Sequence, residues 1–99
     1  MSSVEDLQRL ELAVGRVVDA TEHPGARAPS LLVTVDLGPR GRRQGTVAVP
    51  SAGPAELVGR QVVCLVDPDE VLVLGARSHA HGFVLLTPER EVEDGSIVG

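Results

Sequence analysis

Two apolar stretches on either side of His23-Pro24-Gly25 restrict this chain to a β-rich fold. The second, residues 31–38, sets Leu31, Val33, Val35 and Leu37 against Leu32, Thr34 and Asp36. That period of two marks a strand with one face in a core. The first, residues 12–22, is longer and holds Gly15 between Val14 and the Val17-Val18 pair. A glycine there predicts a bulge or sharp bend, which a barrel needs in order to close. Seventeen residues of the chain are Val, whose branched Cβ suits a pleated surface and crowds a helix.

The pattern continues to the end of the chain. Gly38-Pro39-Arg40-Gly41 closes a hairpin onto a third strand, residues 43–49, which stops at Pro50. Pro54 to Gly59 reads as a short helix, with proline at its start and glycine past its end. Residues 61–66 form a fourth strand, Asp67-Pro68-Asp69 a turn, and residues 70–75 a fifth strand. Residues 76–82 read as a turn before a sixth strand at 83–87, and residues 92–98 as a last turn and strand. At the N-terminus, Ser3 and Asp6 resemble a capping box, and Val4, Leu7 and Leu10 follow at helical spacing. A helix over residues 4–10 is expected. Short strands with regular turns indicate an all-β barrel or sandwich in a single domain, residues 1–99.

Composition narrows the function classes. No run reaches the ~18 apolar residues of a membrane span, and the acidic N-terminus lacks the form of a signal peptide. The single Cys64 forms no internal disulfide, so a cytoplasmic protein is expected. All nine basic residues are Arg. Residues 1–66 balance seven acids with seven Arg, while residues 67–99 carry seven acids and two Arg. A pI near 5.0 argues against strong non-specific nucleic-acid binding, which depends on neutralising phosphates. Phe83 is the only aromatic residue. Generic single-strand binding, which gains about 1–3 kcal/mol per base by aromatic stacking, is therefore disfavoured. A folded RNA read by shape and phosphate contacts stays open.

The order and spacing of these pieces resemble the tRNA-binding-domain family, an OB-type barrel, and within it the CsaA-type secretion chaperones. Glu11-Leu12-Ala13-Val14-Gly15 matches the family's opening. Ala28-Pro29-Ser30 points to the CsaA branch. Asp36 and Gly38, Arg43-Gln44, Pro54, Leu57, Gly59 and Val62 all fall in place. Residues 70–75 and 84–88 look like that branch's closing hairpin, and Gly95-Ser96 like its terminal turn. The resemblance implies a five-stranded Greek-key OB barrel. It also implies a short N-terminal helix, a helix before strand four and an added terminal strand. Three departures stand out. Ala13 replaces an Arg, and Gly45-Thr46-Val47-Ala48 replaces a Ser-rich step. A ligand-side segment of roughly ten residues, a loop-scale length, is missing between Val66 and Glu70.

What remains is chemistry at turns. Arg40-Gly41-Arg42-Arg43 gathers three guanidiniums at a hairpin tip, suited to bidentate phosphate contacts; the plainer reading is a solvated turn. His23 and Arg27 flank the first turn and are candidates for the same rim. Gln44 offers an amide, and Arg77 a further cation. His79 and His81 stand at i, i+2, short of the three or four ligands a zinc site needs. Neither a metal nor a cofactor is expected. Cys64 reads as a small buried hydrophobe, and Asp67 and Asp69 as turn formers. No nucleophile–base pair or phosphate-binding loop is visible, so an enzyme is not expected.

The resulting expectation is a non-enzymatic homodimer that binds tRNA or other structured RNA. Its contacts would be His23, Arg27, Arg40, Arg42, Arg43, Gln44 and Arg77, of which the resemblance itself carries only Gln44 and the basic character at Arg43. Two alternatives belong to other classes. One is an export chaperone that takes unfolded peptide in the same groove. The other is a dimeric scaffold that has lost its ligand with the missing segment.

Overall fold

The computed structural model describes residues 11–23, 30–48 and 53–99. Among these residues eight strands appear: β1 (Leu12–Glu22), β2 (Ser30–Asp36), β3 (Arg42–Ala48), β4 (Gln61–Val66), β5 (Val71–Val73), β6 (Gly75–Ser78), β7 (Gly82–Leu85) and β8 (Ile97–Val98). Among the described residues the one α-helix is α1 (Pro54–Leu57), and a 3-10 turn spans Gly38–Arg40. The expected N-terminal helix lies outside the described residues.

The main sheet runs β3-β2-β1-β4-β5, every pair antiparallel. A parallel bridge from Gln44 to Glu70 joins its two outer strands. This order, with β3 and β5 meeting in parallel, is the OB barrel. Gly45 permits the closure: a Cβ at that position would lie 2.2 Å from the carbonyl oxygen of Val71. Strand alternation fills the interior with Val17, Leu31, Val33, Val35, Val47, Val62, Cys64, Val71 and Val73, all buried. Leu57 of α1 enters the same core and is 1% exposed. Full burial of a Leu side chain contributes about 1.5–3 kcal/mol, enough to hold so short a helix on the barrel.

Three expectations change. The bulge in β1 falls at Val18, where the register with β2 slips between Val17 and Asp19, and not at Gly15. Just before the slip, the backbone of Val17 continues the ladder on the β4 side, accepting from Gly59 N at 2.7 Å and donating to Arg60 O at 2.9 Å, which docks the end of α1. Gly15 serves close packing instead, since a Cβ there would meet Val35 Cγ1 at 2.2 Å. The second strand stops at Asp36, whose Oδ1 accepts from Gly38 N at 2.8 Å and starts the 3-10 turn early.

The third change is at the closing hairpin. The fifth strand ends at Val73, and Gly75–Ser78 becomes β6, paired with β7 in a separate two-stranded sheet. The expected turn at 76–82 thus shrinks to residues 79–81. The cause is a switch of partners: Leu74 N donates to Val63 O, Val63 N to Leu86 O and Leu86 N to Leu74 O, so the chain leaves the barrel there. Phe83 and Leu85 of β7 pack against the core.

The tail returns to the barrel. β8 pairs with the start of β1, Leu12 against Val98 and Ala13 against Ile97. Before it, Val14 exchanges backbone hydrogen bonds with Gly95 and Ser96.

Candidate functional site

The polar face of the barrel lies on β2 and β3. Alternation along β3 turns Arg42, Gln44, Thr46 and Ala48 outward and buries Gly45 and Val47. Arg43 sits half-buried at the rim, where its Nε donates to the carbonyl oxygen of Pro68 at 3.0 Å. That contact draws the turn between β4 and β5, itself closed by Asp67 N donating to Glu70 O at 2.9 Å, against β3. Between them lies a groove of about 370 Å³ lined by Thr34, Arg42, Arg43, Gln44 and Asp69.

The basic cluster does not act as one patch. Arg40 leaves the groove and pairs with Glu11 at the barrel's edge. Arg42 faces Asp36, its partner across the β2–β3 ladder, with Nε 3.7 Å from Oδ2. The 3-10 turn splays the two residues onto different sides. Arg43 is the third, held by Pro68. Of the expected contacts, the structure therefore brings Arg42, Arg43 and Gln44 together. His23 follows β1, its N–H donating to Ser30 O at 3.0 Å across the start of β2. Arg77 is exposed on β6, in the other sheet. Arg27 lies outside the described residues.

A second groove of about 280 Å³ lies along the seam between β3 and β5, lined by Thr46, Leu65, Asp67, Glu70, Val71 and Leu72. It is apolar with an acidic rim, and Leu72 is 53% exposed. The bridge between Gln44 and Glu70 separates it from the first groove.

A third feature escaped the sequence reading. Arg16 on β1 donates to Glu91 Oε1 at 2.9 Å, to Asp94 Oδ2 at 3.2 Å and to Gly59 O at 2.9 Å. Glu91 and then Asp94 hold its guanidinium above the ordinary arginine range. Buried Gln61 completes the tie, donating to Asp94 Oδ1 and Val92 O and accepting from Val92 N. These residues flank a cleft of about 390 Å³ between Arg60 and the segment from Thr87 to Glu91. A charged residue inside the apolar run of residues 12–18 was the available signal.

Asp36 and Thr34 were also missed as neighbours of the arginines. Counting back from the turn at Gly38–Gly41 places Asp36 opposite Arg42 and Thr34 opposite Gln44. His79 and His81 sit exposed on the β6–β7 turn, where Ser78 Oγ accepts from Ala80 N and His81 N. Among the described residues, no three of His, Cys, Asp and Glu gather as a metal set. Burial pushes the Cys64 thiol up to about 12, so it is no nucleophile. No described helix is long and apolar enough to cross a membrane.

An OB barrel with a polar groove on its β2–β3 face defines the class. Comparison with known proteins narrows it. CsaA chaperone from Bacillus anthracis is 31% identical and superposes with a TM-score of 0.85, covering 100% of this chain and 99% of its own. The CsaA chaperone of Picrophilus torridus gives a TM-score of 0.90 at 23% identity, which shows the shared fold, over the full length of both chains. Methionine–tRNA ligase from Archaeoglobus fulgidus is 32% identical over 97% of this chain, and that of Methanopyrus kandleri 33% over 94%. The chain spans only 16% and 15% of the length of those two ligases. No protein-family model matches. The chain belongs to the CsaA-like tRNA-binding-domain OB family.

Proposed function

We propose that the protein binds tRNA, without catalysing a reaction, through the groove on its β2–β3 face. The observation that carries this reading is the convergence of Arg42, Arg43, Gln44 and Thr34 on one groove. That face, with the loop after strand one and the turn before strand five, is where OB barrels take oligonucleotides. Arg42 and Arg43 contact phosphate and Gln44 a base or ribose; His23 and Arg27 extend the site along the β1–β2 connection. Arg40, paired with Glu11, and Arg77, on the β6–β7 sheet, lie outside this groove. The likeness to stretches of two methionine–tRNA ligases supports tRNA as the ligand. We place the protein in the cytoplasm as a homodimer. The exposed Val84, Leu86 and Ile97 supply apolar surface for a second copy.

Fluorescence anisotropy of labelled total tRNA at two salt concentrations tests this. Saturable binding that weakens with salt, and falls at least tenfold in the Arg42→Ala/Arg43→Ala variant, is expected; tRNA binding unchanged in that variant would sink the groove. A second reading, a chaperone for unfolded peptide, is favoured by the seam groove. Leu65, Val71 and Leu72 there suit an apolar segment, and Asp67 and Glu70 a basic residue beside it. Such binding would tolerate salt, where phosphate contacts do not. Absence of both ligands would leave a scaffold.

A further inference from the structure

The groove that takes RNA in the reading above carries its own neutralising charge. Arg42 and Arg43 line it, and so does Asp69. Asp36 sets Oδ2 3.7 Å from Arg42 Nε. Two guanidiniums thus share the groove and its edge with two carboxylates. Both side chains of the Arg42–Asp36 pair are solvent-accessible, 64% and 30%, and exposed pairs of this kind are weak. A phosphate can therefore displace Asp36 from Arg42. The displaced carboxylate stays beside the groove, though, and Asp69 is unaffected.

That arrangement treats two kinds of anion differently. A dense polyanion brings a second and third charge close behind the first; duplex DNA carries one per about 1.7 Å of axis. Those charges meet Asp36 and Asp69. A single-stranded loop can bring one phosphate to Arg42 and Arg43 and splay its base toward neutral donors and acceptors. Gln44 and Thr34, which line the same groove, supply these, and unpaired bases are read by such side chains.

We infer that Asp36 and Asp69 are specificity-determining residues of this groove. They restrict it to an RNA segment that presents one phosphate beside an open base edge, and they turn away dense polyanions. The identity of the favoured ligand rests on the tRNA reading; the exclusion of polyanions does not.

The test compares the full chain with its Asp36→Asn/Asp69→Asn variant, using labelled heparin and labelled total tRNA over a salt series. Asparagine keeps the Oδ1 that accepts from Gly38 N, so the turn after β2 is preserved. Glu11→Gln is the control: it makes the same kind of charge change beside Arg40, which does not line the groove. Heparin affinity is expected to rise about tenfold at low salt in the double variant. Its salt slope should steepen by about one or more. Affinity for tRNA should rise less, so the preference for tRNA narrows, while Glu11→Gln stays within about twofold for both probes. Unchanged heparin binding in the double variant, an equal gain for heparin and tRNA, or an equal gain in Glu11→Gln overturns the inference. A heparin gain with no tRNA binding to either protein keeps the exclusion by Asp36 and Asp69 and removes the tRNA reading.

Discussion

Arg16 and Asp94 meet at 3.2 Å although 78 residues separate them in the chain. Gln61 takes the other oxygen of the same carboxylate at 2.8 Å, so Asp94 joins β1, β4 and the C-terminal segment at one point. Gln61 is 8% exposed and binds Val92 through both its amide N and O. Gln61→Leu keeps the volume and leaves both backbone groups of Val92 without their partner. A buried polar group left unpaired costs about 1–3 kcal/mol. The urea midpoint should fall accordingly, with no change in slope. Arg90→Ala, which breaks only an exposed pair with its neighbour Glu89, should leave the midpoint in place.

Closure of the barrel gives a second expectation. Gly45 faces the backbone of Val71, with the oxygen 2.2 Å from where a Cβ would stand. A carbonyl cannot rotate away as a side chain can, so β5 must retreat from β3. Gly45→Ala should destabilise by about 1–3 kcal/mol, the usual range for overpacking a core. Amide exchange at Glu70 and Val71 should accelerate first. Exchange that stays slow there would show that the seam is looser than its geometry.

The strands were legible because Leu31, Val33, Val35 and Leu37 alternate in a way only a half-buried strand explains. Cys64, between apolar neighbours, was legible as core for the same reason. The switch at Leu74 was not. Residues 70–75 read as one continuous strand, and only the bonds of Leu74 to Val63 and Leu86 show where the chain changes sheets. The arginine cluster misled for a related reason. Sequence proximity put Arg40 with Arg42 and Arg43, whereas the 3-10 turn sends it to Glu11. Partners drawn from distant segments, such as Asp94 for Arg16 or Pro68 for Arg43, leave no local trace.

Cys64 supplies a pH test. Burial raises its thiol from an ordinary 9.0 to about 12, because the core disfavours the thiolate. Below pH 9 both folded and unfolded thiols are protonated and the shift has no effect. Between about 9 and 12 only the unfolded chain loses the proton, so the unfolded state gains and stability falls with rising pH. Urea denaturation from pH 8 to 11 should show a steeper decline in the wild type than in Cys64→Val. Parallel curves would mean that the thiol is less buried than it stands here. A thiol reagent at pH 8 should label the native protein only at the rate of unfolding.

Ligand binding separates groove residues from surface arginines. Arg43 is fixed against Pro68 and lines the groove, so a phosphate bound there meets a preorganised donor. Arg77 stands exposed on β6, opposite Phe83 in a different sheet. Arg43→Ala should weaken tRNA binding about tenfold and reduce the salt slope by about 1, the signature of one lost phosphate contact. Arg77→Ala removes the same charge from the chain and should change affinity by less than about threefold, since Arg77 does not line the groove and an exposed charge is screened by salt. Anisotropy titrations of both variants between low and moderate salt give the comparison. Equal losses from the two would mean that tRNA responds to net charge, and the β2–β3 groove would then have no special part in binding.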